Sequence, residues 1–169
     1  MKTLILGLGN PLVADDSVGL RVAAELAPRL ADRPDIVVEE EYWGGLRLME
    51  RMIGYDRVIL IDAMVSGLEP GSIRWLGLES LPTQHTASSH DVNLPTALAI
   101  GRHAKVPLPP DEAIEILGIE VQDVQTFSEQ CTPAVAKAIP KAAAAVLEKL
   151  SPREHGAKCS VEKSSGDTG

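Results

Sequence analysis

Asp16, Asp62 and His90 are the residues of this chain whose types and places could do chemistry. Asp16 lies in the loop that joins the first predicted strand to its helix, Asp62 closes the third predicted strand, and His90 stands just ahead of a helix predicted to start near Val92. Two carboxylates and an imidazole form an oxygen, oxygen, nitrogen donor set. Such a set suits a borderline divalent ion such as zinc or nickel and leaves coordination positions open for water or substrate. The same groups suit general acid and base work without a metal, and spacing alone leaves both readings open. Each residue also has a structural reading. Asp15 or Asp16 suits a helix cap, Asp62 a turn, and a loop histidine beside Ser88, Ser89 and Asp91 a solvated or capping role. The case for a site rests on all three falling at one edge of one sheet, because open α/β sheets bind ligands beyond the carboxyl ends of their strands.

The elements that must position these residues follow from the hydropathy pattern. Thr3 to Leu8 is a short, continuous apolar run ended by Gly9-Asn10-Pro11, as expected of a central parallel strand buried on both faces. Val18, Val22, Leu26 and Leu30, with Ala23 and Ala27 beside them, recur at helical spacing and stop before Asp32-Arg33-Pro34. A second strand is expected over Ile36 to Val38 and a helix over Leu46 to Ile53, after the Gly44-Gly45 pair. A third strand is expected over Arg57 to Asp62 and a fourth over Ser72 to Leu78, followed by a polar loop from Glu79 to His90. Val92 to Lys105 reads as a helix, Ala113 to Ile119 as a strand and Thr132 to Leu150 as an Ala-rich helix. In that last helix Thr132 is the expected N-cap, Pro133 takes the first position, and Pro140 predicts a kink or break. Strands alternating with helices mean βαβ units. They predict a single three-layer α/β domain, a twisted and mostly parallel sheet with helices on both faces, over residues 1–150. Residues 151–169 turn to Ser, Gly and balanced charge, a composition expected of a disordered tail.

Composition narrows the function. Among 169 residues, 16 Lys and Arg against 24 Asp and Glu leave a net charge of −8 with no basic run, which disfavours nucleic-acid and anionic-membrane partners. Aromatic residues make up only 3% of the chain, so no stacking platform for single-stranded nucleic acid is expected. Cys131 and Cys159 form no Cys-x-x-Cys pair, which argues against a thiolate zinc site or a disulfide framework and for free thiols in a reducing cytosol. No segment approaches the ~20 apolar residues of a membrane span, and the first apolar run is too soon broken for a signal peptide. A cytoplasmic location is expected. His85 shares the loop of His90, whereas His103 falls late in a helix and His155 in the tail. Glu39, Glu40 and Glu41 read as a solvated strand end, with contact to a basic peptide as the lesser reading. Gly7-Leu8-Gly9-Asn10 lacks the third glycine of a dinucleotide fingerprint, since Leu12 stands in its place.

Gly7-Leu8-Gly9-Asn10-Pro11-Leu12-x-x-Asp15-Asp16-x-x-Gly19 resembles the opening motif of the hydrogenase maturation endopeptidases. Those proteases trim a carboxy-terminal extension from the large subunit of nickel-iron hydrogenases. The resemblance continues through Gly44-Gly45, Ile61-Asp62-Ala63, Ser89-His90 and Thr132-Pro133-x-Val135, in order and at similar spacing over residues 3–150. It implies a phosphorylase/hydrolase-like α/β fold, with Asp16, Asp62 and His90 matching the family's metal-binding positions. It also implies nickel delivered within the hydrogenase large-subunit precursor, with no organic cofactor. The chain departs from the family pattern at Ser17, where Gly is common, and at Leu46, where Thr is common. A peptidyl-tRNA hydrolase also begins with a strand and Gly-Leu-Gly-Asn-Pro, but Leu12 to Gly19 lacks that family's His-Asn pair. A nickel-binding maturation chaperone is the other competing reading, although a donor set of two carboxylates without a thiolate suits tight nickel binding poorly.

Overall fold

The computed structural model describes residues 1–80 and 92–151. The predicted polar loop around His85 and His90, and the tail with its expected disorder, lie outside the described residues. Among the described residues, five strands form one sheet: β1 (Thr3–Leu8), β2 (Ile36–Glu41), β3 (Arg57–Met64), β4 (Ile73–Gly77) and β5 (Ile114–Glu120). Their order is β2-β1-β3-β5-β4. All neighbours run parallel except β4, which pairs antiparallel with β5 as an edge strand.

Among the described residues, four α-helices cover the sheet: α1 (Val18–Arg29), α2 (Gly45–Arg51), α3 (Leu94–His103) and α4 (Pro133–Leu150). The buried stripe of α1, including Val18, Val22 and Leu26, packs with Val135, Ala138, Ala142 and Val146 of α4 against Ile5, Ile59, Ile61, Leu117 and Ile119. On the opposite face Leu48 and Met49 of α2 and Leu94, Ala97 and Leu98 of α3 cover Leu4, Leu6, Leu60 and Ile116. The alternation of odd and even strand residues between two cores is the period-two geometry of a strand buried on both sides. With aromatics so few, these layers are built mainly from Leu, Ile, Val and Ala, with Met49 and Met52 on the side of α2 and α3, and the three-layer, mostly parallel architecture agrees with the sequence pattern.

Several details differ from expectation. The third strand runs two residues past Asp62, because Ala63 and Met64 keep their pairing with Ile119 and Glu120. Ala27 is exposed, since the helix has turned it away from the stripe that Leu26 and Leu30 bury. Helix α4 continues through Pro140, whose missing amide releases the carbonyl of Ala136. Both residues are exposed, so water can take that carbonyl and the helix need not stop. Thr132 occupies the N-cap position of α4 but makes no side-chain cap. Its hydroxyl is engaged elsewhere, as described below.

The two apolar layers predict a steep mutational cost. Leu117 is fully buried in the middle of the sheet, so Leu117→Ala should lower stability by about 2–5 kcal/mol, measured as a fall in the urea midpoint with little change in slope.

Candidate functional site

The strand order places a switch point at the carboxyl ends of β1 and β3. The chain leaves β1 for β2 on one side, then returns across β1 to form β3 on the other, so the loops after β1 and β3 diverge and leave a crevice. Asp16 and Asp62 enter this crevice from its two sides, and both line one cleft of about 890 Å³. The remaining walls are mostly apolar, with Leu48 from α2, Leu94 from α3, and Leu60 and Ile116 from the sheet.

Asp16 is held by a short, tightly folded loop. Gly9 has φ of 147°, and a Cβ there would overlap the carbonyl oxygen of Asp16, so the close approach of the two ends of the loop requires glycine. The Asn10 side chain accepts the amide of Leu12 at 3.0 Å, while the Asn10 amide donates to Oδ2 of Asp16 at 2.9 Å. The side chains of the two adjacent acids therefore diverge. Asp15 is fully buried and accepts from the Thr132 amide at 2.7 Å, the Thr132 hydroxyl at 3.0 Å, and the amides of Gln122 and Asp123 at 3.2 and 3.0 Å. Asp16 is only partly buried and faces the cleft. Neither caps α1: its N-cap position is Ser17, whose hydroxyl instead donates to the carbonyl of Ala14 at 2.8 Å. The cap on α1 expected of one of these acids is therefore not found, and Asp15 instead takes its hydrogen bonds from Gln122, Asp123 and Thr132.

Asp62 accepts the amide of Ala63 at 2.9 Å. Burial, reinforced by the negative charge of Asp16, pushes its carboxyl up from 3.8 to about 7, against the opposing effect of that hydrogen bond. Neither Asp16 nor Asp62 takes part in an ion pair among the described residues. A divalent cation would reverse this unfavourable balance, and its oxygen-rich donors fit a borderline or hard ion. Among the described residues no group of three potential ligands is assembled. His90 lies outside them, so the structure brings together two of the three predicted residues.

The other sequence expectations fall out differently. His103 is exposed at the far end of α3. The acidic run is less solvated than foreseen: Glu39 and Glu41 pair with Arg51 of α2, and Glu41 also accepts the amides of Tyr42 and Trp43, while Glu40 remains exposed. Cys131 is a free, partly buried thiol against Ala14 and Ser17. The Gly44-Gly45 pair borders the cleft, and Gly45 adopts φ of 58° where a Cβ would strike the carbonyl of Val92. Sequence reasoning passed over Arg74, Ser66 and Glu120. The signal for Glu120 was the one used for Asp62, a carboxylate ending an apolar strand.

Two predictions separate the acids. Asp15→Ala strands several buried donors and should cost about 3 kcal/mol or more, whereas Asp16→Ala should leave the thermal unfolding midpoint close to that of the parent. Asp62 has a folded pKa above its unfolded one, so its penalty is absent below about pH 4, grows as pH rises and is complete above about 7. Asp62→Asn should therefore raise the Tm of the metal-free protein by a few degrees at pH 8 and by much less at pH 5. Equal shifts at both values would contradict this titration.

Comparison with known proteins agrees with the resemblance read from the motifs. A family model described as hydrogenase maturation protease matches residues 20–149. The hydrogenase expression/formation protein HupD of Bradyrhizobium diazoefficiens is 33% identical over 81 residues, covering 48% of this chain and 42% of that protein. The hydrogenase 2 maturation protease of Escherichia coli is 30% identical over 102 residues, covering 59% of this chain and 62% of that one. The chain thus spans less than two thirds of the length of these two curated relatives. The solved structure of the E. coli hydrogenase maturating endopeptidase HybD superposes with a TM-score of 0.70 at 26% identity, covering 89% of this chain and 92% of that one. With most of its length matched by the family model, the chain belongs to the hydrogenase maturation protease family.

Proposed function

We propose that the protein is an endopeptidase that removes a carboxy-terminal extension from the nickel-loaded large-subunit precursor of a nickel-iron hydrogenase, acting in the cytoplasm. The observation that carries this reading is the pair of carboxylates, Asp16 and Asp62, at the head of an apolar cleft at the switch point of the sheet. Family membership supplies the class of reaction. Among the described residues no helix is long and apolar enough to cross a membrane.

The nickel in this scheme belongs to the substrate. Asp16 and Asp62, with His90 as the third donor, take up open positions on the precursor's ion and so fix the precursor's carboxy-terminal region over the cleft. An ion so held can polarise the scissile carbonyl and lower the pKa of bound water. The chain's own contribution is placement. Asn10 and Gly9 set the carboxylate of Asp16, and the Ala63 amide sets that of Asp62. The apolar walls from α2, α3 and the sheet hold the extension and exclude water. Only a loaded precursor presents the ion these residues ligate, so processing follows nickel insertion.

The test is intact mass of a hydrogenase large-subunit precursor incubated with the protein, with and without nickel. A discrete carboxy-terminal peptide should be lost only from the nickel-loaded precursor. Asp16→Ala and Asp62→Asn should each slow its release by about 100-fold or more. An intact precursor with verified nickel occupancy would refute the assignment, and nickel binding by the isolated protein without cleavage would replace it with a chaperone role.

A further inference from the structure

The cleft has a second charged end, which the metal-binding reading leaves unused. Arg74 of β4 lines the same cleft as Asp16 and Asp62 and is the only basic side chain to do so among the described residues. The sheet register explains its placement. Asp62 of β3 and Arg74 of β4 both pair with Gly118 of β5, so the three residues form one row across the sheet. Residues directly opposite one another in register share a face. Leu60, Ile116 and Leu76, each two residues from a member of this row, pack in the core beneath α2 and α3, which places Asp62 and Arg74 on that same face. The middle strand contributes a glycine there, and the Met64 side chain lies over it as a low, apolar floor.

The guanidinium of Arg74 is also positioned. Its Nη2 donates to the Ser66 hydroxyl at 2.7 Å, and that hydroxyl donates to Oε2 of Glu120 at 2.6 Å. Glu120 is buried and accepts three further bonds, from the amides of Ser66, Gly67 and Leu68. The chain Glu120, Ser66, Arg74 therefore anchors one nitrogen of the fork and leaves the others without a partner among the described residues. Arg74 is exposed and forms no ion pair among the described residues, in a chain with a net charge of −8. An oriented guanidinium with no ion-pair partner among the described residues, in a cleft whose other charged lining residues are Asp16 and Asp62, suits a carboxylate ligand.

Resting on the endopeptidase reading, we propose that Arg74 is a specificity-determining residue that binds a carboxylate of the peptide extension. Two strand spacings separate Asp62 from Arg74, about 9–10 Å between backbones, and an extended peptide crosses that distance in about three residues. The carboxylate lies that far from the scissile bond. It is either an acidic side chain or the terminal carboxylate of a short extension.

The test uses the full chain with the nickel-loaded precursor, followed by mass, and in parallel a fluorescently labelled synthetic peptide of the extension, followed by anisotropy. Arg74→Gln should raise KM about ten-fold or more with a smaller change in kcat, and should weaken peptide binding to a similar degree. Arg74→Lys should recover part of the loss, because it keeps the charge without the fork. Converting the partner carboxylate to an amide, in the side chain or at the terminus, should cost the parent protein the same factor and Arg74→Gln nothing further. The neutralisation that reproduces the loss identifies the source of the carboxylate. Unchanged KM and peptide affinity in Arg74→Gln would overturn the proposal, as would a loss that neither neutralisation reproduces. Failure of the parent protein to cut the loaded precursor would instead overturn the proposed function, and the peptide affinities would still decide the role of Arg74.

Discussion

Asp15, a carboxylate with no access to water, ties the functional end of the molecule together. Its two oxygens take hydrogen bonds from Gln122, Asp123 and both the amide and hydroxyl of Thr132, so one side chain joins the β1–α1 loop to the β5–α4 loop and to the N-cap residue of α4. Backbone bonds from Ala14 to Thr126 and from Asp15 to Asp123 run beside it, as does the bridge between Val13 and Phe127. A buried carboxylate is tolerable only where its lone pairs are filled. Because these are filled, the loop carrying Asp16 is clamped at one end by Asp15 and at the other by the close contact between Gly9 and the Asp16 carbonyl.

That clamp lets Asp16 be used rather than spent on stability. Adjacent residues with identical side chains end in opposite environments, one saturated with donors and the other partly solvated beside a second acid. Burial, reinforced by the resulting repulsion, raises the Asp62 carboxyl to about 7. A group held in the wrong ionisation state for its surroundings is a local stability cost of the kind binding sites carry. In the proposed scheme, a cation brought by the substrate would remove this cost.

Charge along the cleft is graded as well. The acids stand at the carboxyl ends of β1 and β3, and the one cation that lines the cleft among the described residues stands on the antiparallel edge strand β4, in the same cross-strand row as Asp62. A second buried acid, Glu120, is satisfied by the loop it holds. Burial opposes its charge, but the Ser66 hydroxyl and three backbone amides prevail and keep its carboxyl below the usual range. Asp15 and Glu120 thus serve the same architectural purpose at neighbouring loops. Each accepts from three backbone amides and one hydroxyl, and a polar side chain beside it, Asp16 or Arg74, lines the cleft.

The alternation of apolar strands and amphipathic helices determined the α/β class, the central position of β1 and the placing of Asp16 and Asp62 near the carboxyl edge. These features rest on local periodicity and on which residues must be buried, and both are legible one segment at a time. The motif spacing likewise marked Asp16 and Asp62 as candidates. Tertiary structure alone decided which of Asp15 and Asp16 would be structural, since their local sequence is nearly symmetric and the donors that distinguish them come from residues 122–132. It also decided that Glu39 and Glu41 would pair with Arg51, that Pro140 would sit where water can satisfy the released carbonyl, and that β4 would turn antiparallel. Arg74 was invisible in the sequence for the same reason: its place opposite Asp62 depends on the registers of two strand pairs, and register is a property of the assembled sheet.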